Sequence, residues 1–173
     1  MLVQSVAFIF LALLGVNYAG SSLDPDGCSD RFYERHDGVC YRFEYIPATW
    51  ADAKKTCENY GANLISIRDI KLSTWLKEPG RAGTTAFWFG LHKDENGRLR
   101  WADKPHKFDT EGFSDWASGE PSFSTGSCVS MFTPFAESGL KPKTAWKMTD
   151  CEQYLPYICT KPAATAQTNA VLA

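Results

Sequence analysis

Six cysteines, Cys28, Cys40, Cys57, Cys128, Cys151 and Cys159, restrict this chain more than any other feature of its sequence. All follow an apolar leader, and an even count in an exported chain implies three disulfides with no leftover thiol. Six cysteines allow fifteen pairings, and spacing alone does not choose among them. Zinc is a poor alternative. No Cys-x-x-Cys occurs, and His36, His92 and His106 are far apart with no ligand-like spacing.

The leader, residues 1–20, reads as a secretory signal. Val6 to Val16 is apolar or small throughout, too short for a membrane span, and Tyr18-Ala19-Gly20-Ser21 forms a small-residue exit. No second long apolar run follows, so the mature chain is expected to be secreted and extracellular, with no membrane span. Residues 21–27 form a short N-terminal segment, 28–161 one domain, and the Ala/Thr-rich residues 162–173 a disordered tail. About 150 residues beyond the signal suffice for a single core. A net charge of −2 argues against nucleic acid, which needs a clustered basic surface. Aromatic residues make up 14% of the chain and include six Trp, a composition suited to a rigid, aromatic-packed domain.

Local signals order the elements. Asp37-Gly38 is a hairpin turn within Cys28–Tyr41, and Val39 to Phe43 alternates as a strand. Thr49 caps a helix whose Trp50, Ala53, Cys57 and Tyr60 recur at helical spacing, and Gly61 ends it. Leu64 to Ile67 reads as a short strand and Asp69 to Lys77 as a second helix, stopped by Glu78-Pro79-Gly80. Ala86-Phe87-Trp88-Phe89-Gly90-Leu91 carries no charge, which predicts a strand buried on both faces. Gly90 there would let another backbone come close. Trp101 lies in a further strand-like run. Helices early and strands late indicate an α+β domain.

Taken in order, these residues resemble the C-type lectin-like domain family. Trp50-Ala51-Asp52-Ala53, Cys57 and Gly61-Ala62-Asn63-Leu64 are similar to its first-helix signature. Trp88-Phe89-Gly90-Leu91, Gly97, Trp101-Ala102-Asp103, Trp116, Gly119-Glu120-Pro121, Cys128-Val129, Cys151 and Tyr157-Ile158-Cys159 continue the pattern across Cys28–Lys161. The resemblance implies a long-form domain with two helices, antiparallel sheets and a long irregular loop region. It implies the pairings Cys57–Cys159 and Cys128–Cys151, with Cys28–Cys40 as an extra hairpin bridge. It also implies a cis bond between Glu120 and Pro121. The stretch from about Ala102 to Met148 is expected to hold little regular structure and to rely on such covalent clamps.

The family's sugar-binding members hold calcium in that loop region, and calcium needs six to eight hard oxygen ligands. Here Glu120-Pro121 is retained, but Ser122 stands where Asn or Asp is expected. Gly126-Ser127 precedes Cys128 where an acidic ligand belongs. The later triplet is Trp146-Lys147-Met148; Lys has no acceptor, and the Met thioether is too soft for calcium. No metal site is therefore assigned and no cofactor expected, since the primary-site calcium ligands are largely absent. Lys147 is expected to stand in for the ion by pairing with Glu120. At the auxiliary position His92-Lys93 is followed by Asp94-Glu95, which read as a solvated turn into Asn96-Gly97.

The candidate ligand-binding residues are Glu120, Ser122, Phe123, Phe135 and Lys147. Residues 132–143 form a loop containing Phe132 and Phe135, which either join Phe123 as an exposed apolar anchor or tuck beneath as a satellite core. No Gly-x-Ser-x-Gly, His-Glu-x-x-His or phosphate-cradling glycine motif is present, so no enzyme activity is expected. Three functions fit: a secreted module binding an extracellular glycan or protein without calcium at the primary site, a calcium-dependent lectin of the mannose-type order, or a structural matrix or mineral-associated protein. Fold alone does not choose among them.

Overall fold

The computed structural model describes residues 27, 28, 32, 34–78, 86–103, 108–132 and 145–164. The leader expected at residues 1–20, Phe135 and most of the 132–143 loop lie outside them.

The chain runs through β1 (Glu34–His36), β2 (Val39–Ala48), α1 (Trp50–Asn59), β3 (Asn63–Leu64), α2 (Ile70–Leu76), β4 (Phe87–Lys93), β5 (Leu99–Trp101), β6 (Cys128–Phe132), β7 (Ala145–Thr149) and β8 (Leu155–Pro162). Local chemistry explains most of these boundaries. Asp37 and Gly38 both take positive φ, 47° and 74°, as a two-residue hairpin turn requires. Thr49 caps α1: its hydroxyl accepts the Asp52 N–H at 3.2 Å and donates to the Asp52 carboxylate at 2.9 Å. At the other end Gly61 is left-handed at φ 66°, which lets Gly61 and Ala62 donate back to Glu58 and Cys57. Asp69 caps α2 through the Leu72 N–H at 2.8 Å.

The strands form one eight-stranded sheet in the order β1-β2-β8-β4-β6-β7, with β3 added to β8 and β5 to β4. Within it β4 pairs antiparallel with β5 and β6 and parallel with β8. As its uncharged run predicts, β4 is buried on both faces. Phe87, Phe89 and Leu91 join Trp101, Met131, Trp146 and Ile158 on one side, while Trp88 packs with Trp50, Cys57, Leu64 and Tyr157 on the other. Each fully buried Phe or Leu of this kind contributes roughly 1.5–3 kcal/mol. The indoles are tied as well as packed: Trp88 donates to the Ala48 carbonyl at 2.9 Å and Trp50 to that of Phe89 at 3.0 Å.

Gly90 marks the close approach expected of it. Its N–H donates to the Ile65 carbonyl at 2.8 Å, and a Cβ would sit 3.0 Å from the Leu64 carbonyl oxygen. The same contact shortens the strand expected at Leu64–Ile67. β3 pairs with β8 at Asn63 and Leu64, the Ile65 N–H still donates to the Ile158 carbonyl at 2.9 Å, and the pairing ends there because the Ile65 carbonyl turns to Gly90.

The three disulfides are Cys28–Cys40, Cys57–Cys159 and Cys128–Cys151, the pairs that the family resemblance implies. Cys57–Cys159 joins α1 to β8 across a sequence separation of 102. A closure of that length is worth up to about 4.7 kcal/mol in the chain-entropy model. Two expectations need revision. The stretch from Ala102 to Met148 includes all of β6 and most of β7, whose register from Cys128↔Thr149 to Phe132↔Ala145 carries the loop region on a hairpin. Order also continues past Lys161, since β8 runs to Pro162, and Ala163 and Ala164 donate to the Gly38 and Gly27 carbonyls at 2.9 Å. β2, the β1–β2 turn at Gly38 and Gly27 ahead of β1 hold that segment, so a disordered tail does not begin at 162.

Candidate functional site

The long-loop tip is built against the outer edge of β7. Pairing with β6 uses one edge of this strand, and the N–H groups of Trp146 and Met148 face the other way. Among the described residues no further strand covers that edge, yet its buried donors need acceptors. Loop residues supply them. The Asp115 carbonyl takes the Trp146 N–H at 2.7 Å, and Ala117 donates back to the Trp146 carbonyl at 2.9 Å. One turn further on, the Glu120 carboxylate takes the Met148 N–H at 3.0 Å.

The same Glu120 oxygen accepts the Ser122 N–H at 2.7 Å, closing the turn around the cis Glu120–Pro121 bond that the resemblance implies. Beside it Thr125 donates its hydroxyl to the Ser122 carbonyl at 2.7 Å and lies 3.3 Å from that of Met148. The Ser122 and Ser124 hydroxyls are 3.1 Å apart. Gly126 rests directly on the Thr149–Asp150 peptide, so closely that a Cβ would fall 2.1 Å from the Thr149 carbonyl. The base of the loop is anchored too. Asp115 accepts from Ser73 at 3.2 Å and pairs with Lys77, which ties it to α2.

The sequence model of the Lectin C-type domain matches residues 46–161. The chain belongs to the C-type lectin domain family. Human lymphocyte antigen 75 is 37% identical over 150 residues, covering 83% of this chain and 8% of that protein, so the chain spans less than a tenth of its relative's length. Among solved structures, a "Ca2+-dependent type II antifreeze protein (Ca2+-free form)" is 30% identical with a TM-score of 0.62, covering 78% of this chain and 99% of that one. The C-type lectin domain of murine dendritic cell inhibitory receptor 2, solved in complex with N-glycan, has a TM-score of 0.66 at 18% identity, covering 78% and 98%.

In this lectin domain the expected ion pair between Glu120 and Lys147 does not form. The Lys147 ammonium instead lies 4.7 Å from the centre of the Phe132 ring. Strand alternation is the reason. Trp146 and Met148 point into the core, at 0% and 2% exposure, so Lys147 leaves by the opposite face. There Phe132, which pairs with Ala145, is a diagonal neighbour. Glu120 has no need of the cation, because two backbone N–H groups already solvate its carboxylate.

The same geometry tests the family's calcium. Glu120 spends one oxygen on the backbone, Met148 buries a thioether in the core, and Lys147 brings a positive charge. Among the described residues no group of three or more His, Cys, Asp or Glu converges. This donor set does not fit a cation that needs six to eight oxygens. At the auxiliary position, Asp94 caps the turn read from the sequence. It accepts the N–H groups of Asn96 at 2.9 Å and Arg98 at 2.8 Å, and its other oxygen takes Arg100 at 2.5 Å. The Arg100 guanidinium, helped by the Arg98 N–H, holds the Asp94 carboxyl below its ordinary value.

Of the candidate ligand residues, the fold gathers Glu120, Ser122 and Phe123 on one turn, with Phe123 49% exposed. Lys147 lies on the neighbouring strand but faces Phe132, and Phe135 falls outside the described residues. Arg98, Leu99, Phe108 and Thr110 were not singled out by the sequence, yet with Arg100 they line a cleft that reaches Phe123. No local motif marks them, since the long loop brings Phe108 and Thr110 to β5 only in the folded chain.

Proposed function

We propose that this chain is a secreted recognition module that binds an extracellular glycan or protein ligand through its long-loop tip, without calcium at the primary sugar site. One observation carries the reading. The acidic side chain retained from the family's sugar site, Glu120, is turned inward to hold the edge of β7. A carboxylate committed to backbone donors serves the fold and is a poor first ligand for an ion. Three disulfides support an oxidising compartment and hence export. What the tip presents outward is the Phe123 ring and the paired Ser122 and Ser124 hydroxyls, a surface suited to binding rather than to catalysis. In the protein-ligand case Phe135, read from the sequence as part of the 132–143 loop, is the anchor.

A glycan array probed in calcium and again in chelator tests the proposal. The expected result is the same binding pattern in both, reduced by Ser122→Ala or Phe123→Ala. Binding that vanishes in chelator would replace this reading with a calcium-dependent lectin.

A further inference from the structure

Beside the tip, the turn joining β4 to β5 and the long loop enclose a cleft of about 390 Å³, lined by Arg98, Leu99, Arg100, Phe108, Thr110 and Phe123. That volume lies in the range of small-ligand sites, roughly 300–1,000 Å³. Its apolar walls are partly rigid. Phe108 packs edge-on against Trp116 at 6.3 Å and tilted against Trp101 at 6.0 Å, and its N–H reaches the Leu99 carbonyl at 3.4 Å. Phe123 forms an exposed wall, with the Lys93 ammonium 5.4 Å from the centre of its ring.

The charges around the cleft are unequal. Arg100 is neutralised by Asp94. Asp94 and Asp109 are both engaged by the turn N–H groups they cap, Asp109 by that of Glu111 at 2.9 Å. Arg98 is exposed, and neither it nor Lys93 forms an ion pair among the described residues. A long cation beside two aromatic rings and a leucine, with the Thr110 hydroxyl at hand, complements a ligand that is flat and apolar at one end and negative at the other.

We infer that this cleft is a second ligand site, taking a small aromatic carboxylate or sulfonate whose ring lies between Phe108 and Phe123 and whose anion meets Arg98. None of its lining residues takes part in the Glu120–Met148 contact, so the inference stands apart from the calcium question.

The test is a fluorescence titration of the full chain with 1-anilinonaphthalene-8-sulfonate and, in parallel, with the uncharged N-phenyl-1-naphthylamine. Saturable binding to one site is expected, with the sulfonate about tenfold tighter, as a hydrogen-bonded charge supplies. Arg98→Gln should erase that preference and leave the neutral probe unchanged. Phe123→Ala, at an exposed position, should weaken both probes without moving the thermal midpoint. Absence of saturable binding, equal affinity for the two probes, or a sulfonate affinity unmoved by Arg98→Gln would each overturn the inference.

Discussion

The Glu120 carboxylate accepts the backbone N–H of Met148 at 3.0 Å, across a sequence separation of 28. A side chain thus completes the hydrogen bonding of a strand edge. Hydrogen bonds to a charged acceptor are worth roughly 1.5–3 kcal/mol, and Glu120→Gln keeps an acceptor oxygen but removes the charge. The expected loss is about 1–2 kcal/mol, equal in calcium and in chelator, read from thermal midpoints. A ligand raises the midpoint only by binding the native state. A calcium-induced rise in the wild-type midpoint that Glu120→Gln abolishes would contradict the inward role of this carboxylate.

Gly126→Ala should disrupt the tip. Its Cβ would lie 2.1 Å from both the carbon and the oxygen of the Thr149 carbonyl, and backbone within a paired strand yields little. The loop must move instead, at a cost of roughly 1–3 kcal/mol or more. Urea denaturation measures the change. Gly97→Asn is the control: φ there is 76°, but no atom lies within 4 Å of the added Cβ, and Asn tolerates the left-handed region better than most residues. If the two substitutions have equal effects, the close approach at Gly126 is not what holds the tip.

Asp115→Ala should loosen the base of the loop. It removes the acceptor of Ser73 and the counter-charge of Lys77, whose side chain is 23% exposed. A loss of about 1–3 kcal/mol is expected, with faster proteolysis within residues 108–127. Asp115→Asn should recover part of the stability through Ser73. Unchanged proteolysis in the Ala variant would show that the backbone bonds to Trp146 hold the base of the loop without the Asp115 carboxylate.

His92 makes stability depend on pH. Its ring lies 4.6 Å from that of Trp50, and its Nδ1 is buried without a partner. Burial holds the imidazole below its ordinary 6.5, against the opposing pull of the Gly90 and Arg100 carbonyls. The unfolded chain therefore binds the proton first as pH falls. Above 6.5 the residue is neutral in both states and stability is unaffected. Below 6.5 stability declines until the folded-state pKa is reached. His92→Phe should remove this component of the slope, measured by urea midpoints across that window. A ring titrating at or above 6.5 by NMR would contradict it.

What the sequence determined by itself was local or compositional. Thr49 and Gly61 bound α1 because a cap and a left-handed C-terminal residue act within one turn of the helix. Asp37-Gly38 makes its hairpin, and Asp94 to Gly97 its turn, for equally short-range reasons. The uncharged run around Trp88 had to be buried on both faces, whatever its neighbours. Tertiary structure decided the partners. Residue spacing leaves fifteen disulfide pairings open, and only folding, or likeness to relatives already folded, selects one. The tip shows the same limit. That Glu120 would turn to Met148, and Lys147 to Phe132, depends on which edge of β7 the loop returns to and which face alternation gives each side chain. Both are set by the β6–β7 register, a pairing between segments on either side of residues 133–144. Charge and the family position of Lys147 together predicted an ion pair there. The backbone donors of a strand edge satisfied the carboxylate first, because an unpaired N–H at a buried edge cannot be left without an acceptor.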